Sequence, residues 1–132
     1  MKKVAAAVIV HNGRVLIARR KAGETHAGLW EFPGGKIEGH ETPQECLERE
    51  ILEELGLSVR AGHILAEAED RAGHGRFTII AVEAGLIGGS MILTVHDDVQ
   101  WVGWDELRTF SLAPADRVLA EKIGVVGCMN GP

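Results

Sequence analysis

One short stretch, from Thr42 to Gly56, constrains the fold of this chain more than any other part of its sequence. Thr42 is suited to cap a helix, Pro43 suits the first helical position, and Glu45 completes a capping box three residues after the cap. Gly56 is placed to end the helix. Apolar side chains recur at every fourth position between these limits: Leu47, Ile51 and Leu55. The pattern predicts an amphipathic helix with one face packed on a core.

The same helix carries three carboxylates, Glu50, Glu53 and Glu54, at spacings that place them on one side of it. Like charges this close repel one another, and such a run is often no more than a solvated helix face. Arg49, four residues before Glu53, is one cation against several acids. Oxygen ligands in a cluster suit a hard divalent ion, so the alternative interpretation is a site for Mg²⁺, or for Mn²⁺ in its place.

A glycine pair lies shortly before this helix. Gly34 and Gly35 allow the backbone to approach a ligand closely and to turn a carbonyl group towards it. Lys36 follows, and its ammonium group is a candidate partner for a phosphate oxygen, although a lysine beside a glycine turn is more often simply exposed. The glycine loop and the acid helix together point to a phosphate-bearing ligand.

Length and composition limit the remaining possibilities. With 132 residues, the chain is expected to form one domain, residues 1–132. A net charge of -5 argues against a nucleic-acid polymer as partner, because such binding depends on Lys and Arg neutralising phosphates. No apolar run approaches the roughly 20 residues of a membrane helix. Two cysteines without metal-ligand spacing favour a reducing, cytoplasmic setting.

The other elements are expected to be mostly strands. Asn12-Gly13 predicts a hairpin between Val4–Val10 and Val15–Arg19. Further runs follow at 29–32, 59–68, 77–83, 86–93 and 99–102, with turns at 73–75 and 88–89. A second helix is expected from Pro114 to Ile123, and the tail 124–132 is expected to fray. This order predicts an α+β fold, a mixed β-sheet sandwiched between helices in three layers, α/β/α.

The spacing of the fixed residues resembles a known family. A segment of this chain resembles the complete Nudix box. In it, Gly35 is followed after five residues by Glu41, and Glu41 is followed after seven residues by Arg49–Leu57. Three runs outside it resemble the MutT-like branch, which sanitises oxidised purine triphosphates, and its CTP pyrophosphohydrolase relatives: Val15–Arg20, Gly28–Glu38 and Leu112–Asp116. The resemblance implies the Nudix fold and cleavage of a phosphoric anhydride in a nucleotide.

What the family implies can be carried onto matching positions. Three carboxylates and one carbonyl group would hold Mg²⁺: Glu50, Glu53, Glu54 and Gly34. Arg49 would orient the glutamates, and Glu41 would support the site without binding the ion. Either Glu53 or Glu50 would take the proton of the attacking water. Lys36 and Gly35 would contact the substrate.

One position departs from the family pattern. MutT-like relatives often carry a further metal-binding acid six residues before the tryptophan of the last strand, where this chain has Val95 before Trp101. Asp97 or Asp98 is a candidate substitute, and a plain turn explains both equally well.

Recognition of the base is expected at Arg20 and Asp116, with Phe77 as a stacking surface. An ionised aspartate only accepts hydrogen bonds, so Asp116 would favour a base that presents an amino or N–H group, such as cytosine or guanine. The competing interpretations are that Asp116 caps the second helix and that Phe77 belongs to the core. The six histidines show no metal-ligand pattern and are expected on the surface.

The favoured hypothesis is a Mg²⁺-dependent pyrophosphohydrolase that releases a nucleoside monophosphate and pyrophosphate. Its substrate would be a modified nucleotide such as 8-oxo-dGTP, or CTP or dCTP, and its partners would include no nucleic acid and no membrane. The chain would act as a monomer or homodimer. The alternatives are hydrolysis of ADP-ribose or a dinucleotide polyphosphate, a catalytically silent nucleotide- or metal-binding module, and an acidic interaction helix.

Overall fold

The computed structural model describes residues 2–70 and 76–130, and for residues 125–130 it describes the backbone alone. The described residues form seven strands and three helices. In chain order these are β1 Lys2–His11, β2 Arg14–Arg20, β3 Trp30–Glu31, β4 Gly34–Lys36, α1 Pro43–Leu55, β5 Leu57–Asp70, β6 Phe77–Gly89, β7 His96–Val102, α2 Trp104–Leu107 and α3 Pro114–Asn130.

Strand β1 is the centre of a mixed sheet. It pairs in parallel with β6, and antiparallel with both β2 and β4. The first half of β1 faces β4, where Val4 lies opposite Lys36, and its second half continues into the hairpin with β2, where Val10 lies opposite Val15. Strand β5 pairs antiparallel with β6 on one side, and β3 and β7 both pair with β2 on the other.

The residues of β1 supply both faces of the sheet with apolar side chains. Ala5, Ala7 and Ile9 pack with the buried side of α1, whereas Ala6 and Val8 pack with side chains of α2 and α3. Such alternation is expected of a strand that is covered on both sides. The sheet therefore lies between α1 and α3, which confirms the predicted three-layer α+β arrangement.

Helix α1 begins and ends where its sequence predicts. The N–H of Glu45 donates to Thr42 Oγ1 at 3.0 Å, and the N–H of Thr42 donates to Glu45 Oε1 at 2.9 Å. Gly56 adopts the left-handed conformation with φ 69° and donates its N–H to the Leu52 carbonyl. Leu47, Ile51 and Leu55 are fully buried. The two caps thus fix where the helix begins and ends, and the buried side chains fix which face lies against the sheet.

The predicted hairpin is also confirmed, with Asn12 and Gly13 both at positive φ in the turn. The prediction of two separate strands at 77–83 and 86–93 is wrong, because β6 runs unbroken from Phe77 to Gly89. Gly88 and Gly89 do not form a turn: they pair with Ser58 and Leu57 of β5. Partnership with a long neighbouring strand overrides the local turn tendency of the glycines.

Strand β4 and helix α2 have no counterpart in the sequence-based prediction. Helix α3 extends beyond Ile123 to Asn130, so the segment expected to fray is helical up to that residue. The turn expected at 73–75 and the last two residues, 131–132, lie outside the described residues. No helix in the described ranges is long and apolar enough to cross a membrane.

Candidate active site

A cavity of about 480 Å³ is lined by strands of the sheet, by the second half of α1 and by the first turn of α3. It brings together eight residues that the sequence predicts for the site: Arg20, Gly34, Gly35, Lys36, Glu50, Glu54, Phe77 and Asp116. Its volume is in the range of small-molecule sites, and both carboxylates and apolar side chains line it. One end therefore suits ions and phosphates, and the other suits a flat ring.

The ionic end is formed where β4 passes under α1. A side chain at Gly34 would overlap the carbonyl group of Ala5 on β1, and a Cβ at Gly35 would lie 2.3 Å from the Glu50 carboxyl carbon. The glycine pair therefore lets β4 pair closely with β1 and lets Glu50 lie directly against the loop. Cys46 is buried beneath it, with its Sγ 3.4 Å from the Gly35 carbonyl, and burial raises the pKa of the thiol to about 11. Cys46 is thus a packed residue.

Arg49 binds three carboxylates, one just before α1 and two on it. Its guanidinium donates two hydrogen bonds to Glu41, at 2.7 and 2.8 Å, one to Glu50 at 2.8 Å and a longer one to Glu53 at 3.4 Å. The hydrogen bonds from Arg49 hold the pKa of Glu41 at about 2, and the N–H of Glu38 adds another. The arrangement holds Glu50 in place and is consistent with the expected orienting role of Arg49.

Glu54 is held at an energetic cost. Burial raises the pKa of Glu54 to about 8, and the nearby carboxylates of Glu50 and Glu31 add to the effect. Its Oε1 atom is buried without a hydrogen-bond partner in the described part of the chain. An ionised carboxylate in such a place needs a positive charge close by. A divalent cation between Glu50 and Glu54 would supply that charge, so the residues fit the expected metal.

Glu53 is placed differently from the other two acids. Its side chain is 59% exposed and it lies outside the residues that line the cavity. No three acidic, histidine or cysteine side chains of the described residues form a metal-binding group by themselves. Two carboxylates still suffice for Mg²⁺, which commonly completes its coordination with water and substrate phosphates.

The middle of the cavity contains an acid that sequence reasoning did not single out. Glu31 on β3 accepts hydrogen bonds from Arg20 Nη1 at 3.2 Å and from His96 Nε2 at 2.8 Å, both through Oε2. Arg20 also binds Glu24 and the Thr25 carbonyl, so its guanidinium joins Glu31 to the loop after β2. Arg20 lines the cavity as predicted, but its contacts in the protein hold other residues in place.

The far end of the cavity combines a buried acid with apolar surface. Asp116 is 6% exposed, and its Oδ1 accepts the N–H of Phe32 at 2.9 Å. It lies in the first turn of α3, yet this contact is to another element, so helix capping alone does not explain it. Burial raises the pKa of Asp116 well above its usual range, and Glu31 acts in the same direction.

This shift favours the protonated acid, which both donates and accepts a hydrogen bond. The expectation of an ionised Asp116 that only accepts took no account of this burial. Phe77 lines the cavity beside Ile79 and lies outside both buried core clusters. Lys36 extends over its ring, with Nζ 5.7 Å from the ring centre.

The candidates for the missing acid at Val95 do not reach the cavity. Asp97 forms an exposed ion pair with Arg19, at 2.7 Å, and Asp98 accepts the N–H of Val99. Neither lines the cavity. Both residues lie within strand β7, where Asp98 is paired with Arg19 of β2, so the plain-turn interpretation is wrong as well.

Three further residues were missed. His96 is fully buried, contrary to the expected surface position, and His26 and Asp70 line the cavity 3.6 Å apart. Glu31 stands between two buried aromatic residues, Trp30 and Phe32. An acid inside a short apolar strand is a signal that could have identified it, whereas nothing local marks His96.

Comparison with known proteins agrees with this geometry. A family model described as the NUDIX domain matches residues 1–123. The CTP pyrophosphohydrolase of Escherichia coli (strain K12) is 35% identical over 121 residues, which are 92% of this chain and 90% of that protein. The putative 8-oxo-dGTP diphosphatase 2 of Mycobacterium tuberculosis (strain ATCC 25618 / H37Rv) is 39% identical over 116 residues, or 86% and 82% of the two chains.

Among solved structures, the solution structure of the Escherichia coli ORF135 protein superposes with a TM-score of 0.84 at 33% sequence identity. The superposition covers 96% of this chain and 90% of the other. The box spacing, the three-layer fold and these matches agree, and this chain belongs to the NUDIX domain family.

Proposed function

We propose that this chain hydrolyses a nucleoside triphosphate to the monophosphate and pyrophosphate with the help of bound Mg²⁺. One observation carries the proposal: Glu50 packs against Gly35 of β4 and interacts with Glu54, and both carboxylates line a cavity large enough for a nucleotide. Its relatives include proteins named CTP pyrophosphohydrolase and 8-oxo-dGTP diphosphatase. Members of the family generally need a divalent metal.

The charge of the cavity is the reason that a cation is required. Among the described residues, six acidic residues line it, against two basic ones, Arg20 and Lys36. The acids are Glu31, Glu38, Glu50, Glu54, Asp70 and Asp116. A triphosphate carries several negative charges and would be repelled by this lining unless cations entered with it. The acidic lining thus favours a substrate bound as a metal complex.

Glu50 and Glu54 would hold the ion, and the Gly34 carbonyl is the further ligand that the family implies. When bound, Mg²⁺ would activate water and neutralise charge that develops on the bridging phosphate oxygen. Arg49 holds the Glu50 carboxylate, and Glu41 holds Arg49 in turn. Lys36 lines the same cavity, and its ammonium group, 5.7 Å from the centre of the Phe77 ring, is a candidate partner for a phosphate oxygen.

Hydrolysis forms one bond from the water oxygen to phosphorus, breaks the bond to the bridging oxygen and releases one proton. Glu50 is already engaged by Arg49 and packed against Gly35, which suits a ligand. Glu53 is more exposed and makes only a long contact with Arg49, so its carboxylate is available to take the proton. Either Glu53, which lies outside the cavity lining, or Glu50, which belongs to it, would serve as the general base.

The other end of the cavity would receive the base. Phe77 and Ile79 offer a flat apolar surface, and Glu31 and Asp116 offer polar contacts. Cytosine and 8-oxo-guanine both carry an exocyclic amino group that can donate a hydrogen bond to a carboxylate. Nucleotides of the CTP or dCTP type and 8-oxo-dGTP are the proposed substrates, and a cytoplasmic monomer or homodimer is the proposed state of the enzyme.

A panel of nucleotides with product identification tests the proposal. With Mg²⁺, we expect pyrophosphate and a monophosphate from CTP or 8-oxo-dGTP, and no product when the metal is chelated. Glu54→Gln should lower kcat about 100-fold or more, because it removes a metal ligand. Glu121→Gln, which removes an exposed carboxylate from α3, is the matched control and should retain full activity. Activity confined to ADP-ribose, or binding without any hydrolysis, would overturn the assignment.

A further inference from the structure

His96 is the only histidine among the described residues whose side chain is fully excluded from solvent. It opens strand β7 and lies opposite Arg20 of β2, immediately after an irregularity in the pairing of these strands. Its Nε2 lies 2.8 Å from Glu31 Oε2, and its Nδ1 is buried with no hydrogen-bond partner in the described residues. The imidazole therefore makes one polar contact, which is to the acid at the middle of the cavity.

The contact defines which ring nitrogen donates a hydrogen bond. A carboxylate oxygen accepts, so Nε2 must carry the proton and donate it. Because Nδ1 has no hydrogen-bond partner among the described residues, the Nε2 bond is the polar contact that orients the ring. Burial of His96 is thus paired with a directional hydrogen bond, and this bond limits where the Glu31 carboxylate can lie.

Glu31 is placed where its position affects binding. Its charge acts on both Glu54, at the ionic end of the cavity, and Asp116, at the base end. Both contacts from Arg20 and His96 use Oε2, which leaves Oε1 for a ligand in the cavity. Its side chain is 15% exposed, so it has little freedom to reach another position.

We propose that His96 is a positioning residue for base selection: it orients Glu31 so that this carboxylate accepts a hydrogen bond from an exocyclic amino group of the nucleobase. This inference rests on the proposed function. His96 does not line the cavity, and the role proposed for it goes beyond what the stability of the fold requires. Its consequence is that discrimination between bases with and without an amino group depends on the His96–Glu31 pair.

Substitutions at His96 separate positioning from packing. His96→Gln keeps a side-chain N–H near the position of Nε2, whereas His96→Met fills similar space without a donor. Nucleotide pairs that differ by one amino group, CTP with UTP and GTP with ITP, report the contact directly. His63→Gln is the control, because His63 is 91% exposed and contacts Glu83 outside the cavity.

The wild-type protein is expected to favour the amino-bearing member of at least one pair. His96→Met should reduce that preference about tenfold, mainly through KM, while His96→Gln retains it. Glu31→Gln should lose the preference as well, and combining it with His96→Met should add little, since the two residues act as one unit. Binding of the non-hydrolysable α,β-methylene analogues provides the same comparison without turnover.

An unchanged preference in His96→Met, with Glu31→Gln impaired, would overturn the positioning role. Equal treatment of both members of each pair by the wild type would do so too. If His96→Met does not fold, His96→Leu replaces it as the variant without a donor: a reduced preference in His96→Leu supports the inference, and an unchanged preference contradicts it. Failure of the proposed function would look different, because the wild type would then release no pyrophosphate from any triphosphate.

Discussion

Gly34 and Gly35 are neighbours in strand β4, yet a side chain would meet different obstacles at the two positions. At Gly34 the obstacle is the backbone of β1, where the Ala5 carbonyl cannot move without breaking the strand pairing. At Gly35 it is the Glu50 side chain, whose carboxyl carbon would lie 2.3 Å from the new Cβ and which can rotate away. The first glycine therefore serves the fold and the second serves the site.

This difference predicts separate effects of two alanine substitutions. Gly34→Ala should destabilise the protein by about 3 kcal/mol, because the backbone is overpacked. Gly35→Ala should leave the unfolding temperature near that of the wild type but lower kcat/KM about 100-fold, since Glu50 is displaced. Thermal unfolding and steady-state kinetics would measure both, with Gly85→Ala as a control in open space. Equal loss of stability in the two variants would contradict the division.

At the residue scale, local pattern identified the acids and glycines but not their environment. Glu50, Glu54 and the glycine pair follow from spacing, because neighbours on a helix or a turn are neighbours in space. The raised pKa of Asp116 and the burial of His96 depend on contacts with residues distant in sequence, and no local pattern contains that information.

Helix α1 is the element that the sequence specifies best, because its limits are set by interactions within a few residues. The Thr42 and Glu45 hydrogen bonds satisfy N–H groups that would otherwise lack partners at the start of the helix. Glu50 lies eight residues after Thr42, or about 12 Å along the helix axis. The cap and the acidic site are therefore separate parts of one element.

Thr42→Ala is predicted to lower the free energy of unfolding by about 1 kcal/mol, since it removes one half of the capping box. Activity at saturating substrate should remain close to that of the wild type, because fraying of the first turn does not reach Glu50. Urea denaturation and kcat measurements test the two parts. Thr42→Ser keeps the hydroxyl group and should behave like the wild type. A large fall in kcat with unchanged stability would show that the cap acts on the site directly.

Strands were harder to predict than this helix for a physical reason. Strand β6 contains Gly85, Gly88 and Gly89, and their turn tendency suggested a break. The break does not occur because β5 supplies a partner along nearly the whole length of β6. Strand β4 likewise exists only through its pairing with β1. Such elements are determined by long-range contacts, which composition and periodicity do not report.

At the scale of the whole molecule, the cavity is a place where stability is given up for binding. Acids from β3, α1, β5 and α3 converge on it, and one buried oxygen of Glu54 lacks a partner in the described residues. The rest of the fold tolerates this because both faces of the sheet are packed with apolar side chains. A cation bound there would stabilise the folded chain, since the unfolded chain has no such site.

Glu54→Gln should therefore be more stable than the wild type at neutral pH when metal is absent, because folding of the wild type raises the pKa of Glu54 to about 8 and must take up a proton there, a cost that the neutral amide does not carry. We expect its unfolding temperature in a chelating buffer to be about 4 °C higher, the change that roughly 1 kcal/mol produces in a domain of this size. Adding Mg²⁺ should raise the unfolding temperature of the wild type and of the Glu121→Gln control, but that of Glu54→Gln much less. A metal-free variant less stable than the wild type would mean that Glu54 stabilises the fold by itself, and the acids of α1 would then need another explanation than a bound cation.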